Sequence, residues 1–466
     1  MTDAGTAPRL GAFQIRNVRL FMAFRLLYHA RFYYPIFTIL FLDYGLTLEQ
    51  FALLNVVWSV TIVLAEVPSG ALADLVGRRT LVVAAGFLVL VELGTIALVP
   101  VGDPEVVFWA FLVNRICSGL AEASASGADE ALAYDSLAAE GDVGEWSAVL
   151  ERLGRLSALV FFVAMISGAL VYDPAAVNRV AGWLGVERTF TKADLLRVPV
   201  YLSLVTGACA FVAALRLREV GEPREALGLG AIRKAFAQIL DALRWTFSAR
   251  FVLFVILGGL ILDSVARQFV LLVSEYFRQI SIPTALFGPI MAGMALLGVV
   301  TSKLGRLMAD RLSPLSNLLI LSALQLIGLG GAALAIPHWG VIFTPFLFTQ
   351  MSLVAFLQSH YLNAQTDSRR RATVLSLKGL ALNLGLGLVS LLYAGLVARL
   401  EQAGAEEPFV SALAWFPPYY GVLLVLLLLA GRLFIRDRSL CTEACAVEPG
   451  EEEPLPPPEA RAAEEG

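Results

Sequence analysis

The chain has 466 residues, of which 58% are hydrophobic and only 16% charged, with a formal net charge of -4. Those proportions exclude a soluble globular protein and a disordered one. Four cysteines are too few for a disulfide framework, and three histidines with no clustered partners leave no metal site or cofactor to expect. The short polar N-terminus has no cleavable signal pattern, so the first apolar segment is expected to stay as a membrane span.

Segments of about 20 apolar residues cross a bilayer as helices. Twelve are predicted, near 20–42, 47–74, 80–101, 106–128, 151–172, 197–216, 250–277, 284–306, 315–336, 340–362, 372–398 and 412–434. The fourth is expected to continue as a polar helix to Leu137. Lysine and arginine are concentrated in the loops on one side, which predicts that both termini lie in the cytoplasm of a multi-pass cell-membrane protein.

Three charges lie in the first span, Arg25, His29 and Arg31. Arg25 and His29 are four apart and share a predicted cationic face that suits an anionic group, whereas Arg31 is expected elsewhere on the helix. Glu66 in the second span precedes Pro68 and suggests either gating or a local pair. Glu92 in the third suggests no role beyond a structural one.

The second span ends in Glu66-Val67-Pro68-Ser69-Gly70-Ala71-Leu72-Ala73-Asp74-Leu75-Val76-Gly77-Arg78-Arg79. A glycine without a side chain admits a neighbouring helix at Gly70. Asp74 at a helix end can pair with a cation or cap a neighbour. Gly77 supplies turn freedom, and Arg78 and Arg79 hold the loop on the cytoplasmic side. This stretch resembles the loop between helices two and three of the major facilitator superfamily, G-x-L-a-D-r-x-G-R-[RK]; Gly70, Leu72, Asp74, Gly77, Arg78 and Arg79 fall on it. The resemblance covers about residues 15–436. It implies an all-α membrane fold of twelve helices in two pseudo-symmetric six-helix halves, acting as a secondary transporter and mostly as a monomer.

In the fourth span Arg115-Ile116-Cys117-Ser118-Gly119 resembles a second superfamily signature, R-x-x-x-G, which implies a part for Arg115 in proton coupling. The alternative is a buried arginine bonded to helix carbonyls. Glu122 lies two turns along on roughly the same face. Beyond Gly127, at least one of Asp129, Glu130 and Asp135 is expected to pair with Arg78 or Arg79 as a latch; the alternative is an exposed acidic helix end. The fifth span has glycines but no proline, so the glycine–proline motif of the superfamily's antiporters is missing.

The chain divides into halves at 1–216 and 250–436. Between them, 217–249 is a linker in which Ile232, Phe236, Ile239, Leu240, Leu243 and Phe247 predict a basic amphipathic helix at the membrane surface. In the seventh span Asp263 and Arg267, four apart, predict an intrahelical ion pair that is either static or opened during transport. Gly305 to Arg311 echoes the Ala73-Asp74 loop and supports two related halves. The Glu/Pro-rich tail, 437–466, is too polar to pack.

No P-loop, zinc-protease motif or Ser/His/Asp arrangement points to an enzyme, and nothing suggests nucleic acid. The expected partners are the bilayer, a small-molecule substrate and protons. The first expectation is proton-coupled export of drug-like or amphipathic compounds. Uptake of a small anionic solute, from Arg25, His29 and Arg115, is the alternative, and a non-transporting receptor on the same fold is a third.

Overall fold

The computed structural model describes residues 10–220, 237, 240, 243–366 and 368–434. The side chains of 67, 71, 74, 75, 299, 368–372 and 432–434 lie outside that description, and with them the expected role of Asp74. Most of the expected amphipathic helix in 217–249 and the whole tail 437–466 lie outside it too.

Among the described residues there are helices and no strands. In hydrocarbon every backbone N–H and C=O must be satisfied internally, and a helix does so within one segment. Eleven helices are long and apolar enough to cross a membrane. With the interrupted first segment they make twelve passes. The N-terminal half contains the first span, Arg16–Tyr28 and Phe37–Asp43, then Leu48–Val76, Arg78–Leu98, Pro104–Ala125, Trp146–Tyr172 and Val198–Leu215. The C-terminal half contains Arg250–Gln279, Phe287–Arg311, Pro314–Ala333, Thr344–Gln365, Ser368–Gln402 and Phe416–Phe434. The turn at Gly77 marks one end of the bundle, called the signature end here; Asp43 lies at the opposite, distal end.

The first span is not the continuous helix expected over 20–42. It breaks between His29 and Tyr33, and a short 3-10 turn, Tyr34–Ile36, restarts it. Pro35 has no N–H to donate and crowds the preceding turn. The sixth span satisfies the freed backbone groups: Ser203 Oγ accepts from Phe32 N at 2.9 Å and Thr206 Oγ1 donates to Ala30 O at 3.0 Å. The fifth span closes on the same place, because a Cβ added at Gly168 would lie 1.8 Å from Phe32 O. The fourth span also bends before its extension, at Gly127 (φ +75°), and resumes as Ala128–Glu140.

The halves meet along two lateral seams. At one, a Cβ on Gly288 of the eighth span would lie 2.1 Å from Met165 O of the fifth. At the other, a Cβ on Gly387 of the eleventh span would lie 3.1 Å from Ser59 Cβ of the second. Small residues at such crossings let backbones approach where no hydrophobic force separates helix from lipid. The halves are also joined at the distal end. There Thr38 Oγ1 donates to Leu271 O, Ser274 Oγ accepts from Thr38 N at 3.0 Å, and Arg278 Nη1 reaches Asp43 Oδ1 at 3.0 Å.

Candidate functional site: a central cavity beside a buried arginine pair

A cavity of about 330 Å³ lies between the halves. The N-terminal half contributes Tyr33, Tyr34, Phe37, Trp58 and Arg115 among others, and the C-terminal half Val270, Leu271, Met291 and Phe348. The wall is apolar and aromatic with a few polar groups, the usual composition of a small-molecule site.

Behind this wall sits a charge cluster that the broken first span makes possible. The break carries Arg31 into the bundle, where it is 5% exposed. Its Nη2 lies 3.5 Å from Glu92 Oε2, and Arg115 Nη2 lies 3.9 Å from Glu92 Oε1. Tyr33 donates its hydroxyl to Glu92 Oε1 at 3.1 Å. Asn114 Nδ2 donates to the Glu92 carbonyl at 2.7 Å, and Asn114 Oδ1 accepts from Arg115 Nε at 2.9 Å. The Arg115 guanidinium also lies 5.3 Å from the Phe37 ring and 5.4 Å from the Phe41 ring, where ring quadrupoles favour a cation. The cluster therefore holds two cations and one anion, all buried. Glu92, expected to have no role beyond a structural one, joins the two arginines of this cluster. Arg31, expected away from the site, is one of its two cations. The expected cationic face of Arg25 and His29 is not there: Arg25 Nε pairs with Asp129 Oδ2 at 2.6 Å, and His29 is exposed where the helix ends.

Glu66 and Glu122 lie one step toward the signature end. Trp58 and Ser118 line the cavity. Glu66 is eight residues beyond Trp58, about 12 Å along its helix, and Glu122 one turn beyond Ser118. The two carboxylates are electrostatic neighbours, and Glu122 also interacts with Tyr28 and Arg31. Glu66 Oε2 is buried without a hydrogen-bond partner among the described residues.

The signature loop is built as a knot of helix ends. Gly77 adopts φ +88°, outside the reach of other residues, and a Cβ there would lie 2.6 Å from Glu219 Oε2. The Glu219 carboxylate accepts from Arg78 N (3.2 Å) and Arg79 N (2.9 Å), so it caps the third span and meets its positive dipole end. Arg79 donates to the carbonyls of Leu215 and Leu217 at the end of the sixth span. Arg78 pairs with Asp135, joining the loop to the extension of the fourth span within the N-terminal half. Asp129 and Glu130 turn to Arg25 instead. Gly70 is exposed, and among the described residues no atom lies within 4 Å of an added Cβ. A close helix approach is found at Gly119, whose added Cβ would lie 3.1 Å from Trp58 O.

In the C-terminal half Arg267 pairs with Asp263 at 2.7 Å and reaches Asn383 Oδ1 at 3.3 Å. At the distal end Asp43 binds Arg278, Lys192 (2.7 Å) and the Tyr172 hydroxyl (2.5 Å) together. No grouping of His, Cys, Asp and Glu fit to hold a metal ion occurs among the described residues.

The family model described as Major Facilitator Superfamily matches residues 20–390. The chain belongs to the Major Facilitator Superfamily. Solved superfamily structures share its fold at low identity. A bacterial homologue of the human lysosomal transporter Spinster, inward-facing and unoccupied, has a TM-score of 0.65 at 14% identity, over 94% of this chain and 99% of that one. The nucleoside transporter NupG has a TM-score of 0.62 at 14% identity, over 92% and 100%. A D-xylose–proton symporter has a TM-score of 0.61 at 14% identity, over 93% and 98%. No curated protein matches the chain in sequence. As a superfamily member the chain is a multi-pass membrane protein built for secondary transport of small molecules.

Proposed function

We propose that the protein is a proton-coupled secondary active transporter that moves a small amphipathic organic solute by alternating access. The observation that carries this reading is the cavity walled by both halves, joined across its distal side by the Asp43–Arg278 and Thr38–Ser274 contacts. A site at the interface of two halves that rock about it is the working arrangement of such proteins. Glu66 and Glu122, between the cavity and the signature end, are the proposed proton carriers. They are electrostatic neighbours on the second and fourth spans, and carboxylates inside a span usually face a cavity or a partner. Similarity to an inward-facing Spinster homologue supports opening at the signature end, and similarity to a D-xylose–proton symporter supports the choice of ion. The signature loop, with Asp74 and the Arg78–Asp135 pair, is proposed as the latch that fixes the second to fourth helices in one arrangement.

Export of drug-like compounds draws no support from these neighbours, among them a nucleoside transporter and a D-xylose–proton symporter, nor from the proline-free fifth span. The test is internal pH in proteoliposomes as solutes are added. Wild-type protein should move protons with at least one solute, and Glu122→Gln or Glu66→Gln should abolish the movement. Undiminished proton movement in the Glu66→Gln/Glu122→Gln double variant would refute the assigned carriers.

A further inference from the structure

We infer that the central cavity is specific for organic anions, binding a flat apolar body between its aromatic walls and a carboxylate or comparable acid group at Arg115. The inference deepens the transport reading and rests on it for the location of the site.

Three independent observations lead there. The first is charge count. Within ion-pair reach Arg31 and Arg115 share a single buried carboxylate, Glu92, so the cluster itself holds two cations to one anion. A buried charge without a partner is expensive, and the bound solute is the group available to balance it. Glu122 interacts with Arg31, but it is exposed and lies a turn beyond the cavity wall on the signature side, away from the Arg115 guanidinium that lines it.

The second is hydrogen-bonding capacity. Charge-assisted N–H···O contacts normally close to about 2.7–2.9 Å. The Glu92 contacts stay at 3.5 and 3.9 Å. Arg31 Nη1 is buried with no hydrogen-bond partner among the described residues. Arg115 has its Nε committed to Asn114, which fixes the plane of the guanidinium, and its Nη2 meets Glu92 only at 3.9 Å, so its terminal nitrogens keep hydrogen-bonding capacity for a ligand. A planar fork of this kind matches a carboxylate in two-point contact.

The third is the wall itself. Arg115 is the charged residue among those lining the cavity, and the others include Tyr33, Tyr34, Phe37, Trp58, Phe161 and Phe348. One cation surrounded by rings selects a solute with one acid group and an apolar remainder. A polyol would find few partners for its hydroxyls on a wall whose other polar groups are Asn55, Ser118 and the tyrosine hydroxyls.

The test is equilibrium binding to the purified full chain by calorimetry, with 2-naphthoate, its neutral amide 2-naphthamide and the cation 2-naphthylmethylamine. Wild-type protein should prefer the acid to the amide by about tenfold or more, the effect of one hydrogen bond to a charged group. Arg115→Gln should erase the preference and Arg115→Lys should keep part of it, which separates ligand contact from a folding defect. Equal affinity for acid and amide, tighter binding of the amine, or no binding of any of the three would overturn the inference. None of those results touches alternating access, which solute-driven proton movement tests separately.

Discussion

Replacing Glu92 by glutamine removes the one negative charge from a cluster of two buried guanidinium groups while keeping its size. At an effective dielectric of about 20, the 3.5 Å and 3.9 Å contacts correspond to roughly 5 and 4 kcal/mol of attraction. Relaxation and water entry recover part of this, and removing one partner of a buried pair typically costs about 3–5 kcal/mol. At about 2 °C per kcal/mol, that lowers the apparent melting temperature in detergent by about 6 °C or more. The informative comparison is the double variant Glu92→Gln/Arg31→Gln. It removes a stranded cation as well, so it should recover about half of the lost stability, a coupling that independent sites would not show. The assay is thermal unfolding followed by tryptophan fluorescence at a fixed scan rate. A melting temperature within about 1 °C of wild type for Glu92→Gln, against the tail of large effects expected for stranded buried charges, would refute the cluster as described. So would strict additivity of the two substitutions.

Other consequences follow from the same geometry. Gly77→Ala places a Cβ in a backbone region reserved for glycine and against Glu219, so it should destabilise the protein by about 1–3 kcal/mol; thermal unfolding measures it. Arg78→Asp and Asp135→Arg should each slow solute-driven proton movement, and the swapped pair should restore most of it, because the contact is one between opposite charges. Asp43→Asn weakens a carboxylate that binds Arg278, Lys192 and Tyr172 at once. Thr38→Cys, in a chain freed of other cysteines, should then react faster with a membrane-impermeant maleimide applied from the distal side.

The number of passes and the signature turn were legible in the sequence because both are local. Apolar length marks a span, and Gly77 followed by two arginines predicts the positive φ that the turn adopts. Asp263 and Arg267 were equally readable, one helical turn apart. The break in the first span had a visible cause in Pro35, but the long apolar pattern over 20–42 outweighed it. Its consequence could not be read locally: the break moves Arg31 from a helix face to the side of Glu92, 61 positions away. The pairing of Arg25 with His29 followed helical spacing, whereas the structure turns Arg25 to Asp129, 104 positions on. Nothing local marks Glu219, which caps the third span from 140 positions away. Asp43 is joined to Arg278 only by the meeting of the two halves, which no local pattern shows.

The central claim is that the two halves open and close in turn around the cavity. The most direct test locks the distal side shut. Thr38 and Ser274, joined by a 3.0 Å contact between the first and seventh helices, are replaced together by cysteine in a chain without other cysteines and oxidised to a disulfide. Solute-driven proton movement in proteoliposomes should stop on oxidation and return on reduction. Movement that continues at the wild-type rate with the disulfide formed would contradict the account, because the solute would then cross without the distal side ever opening.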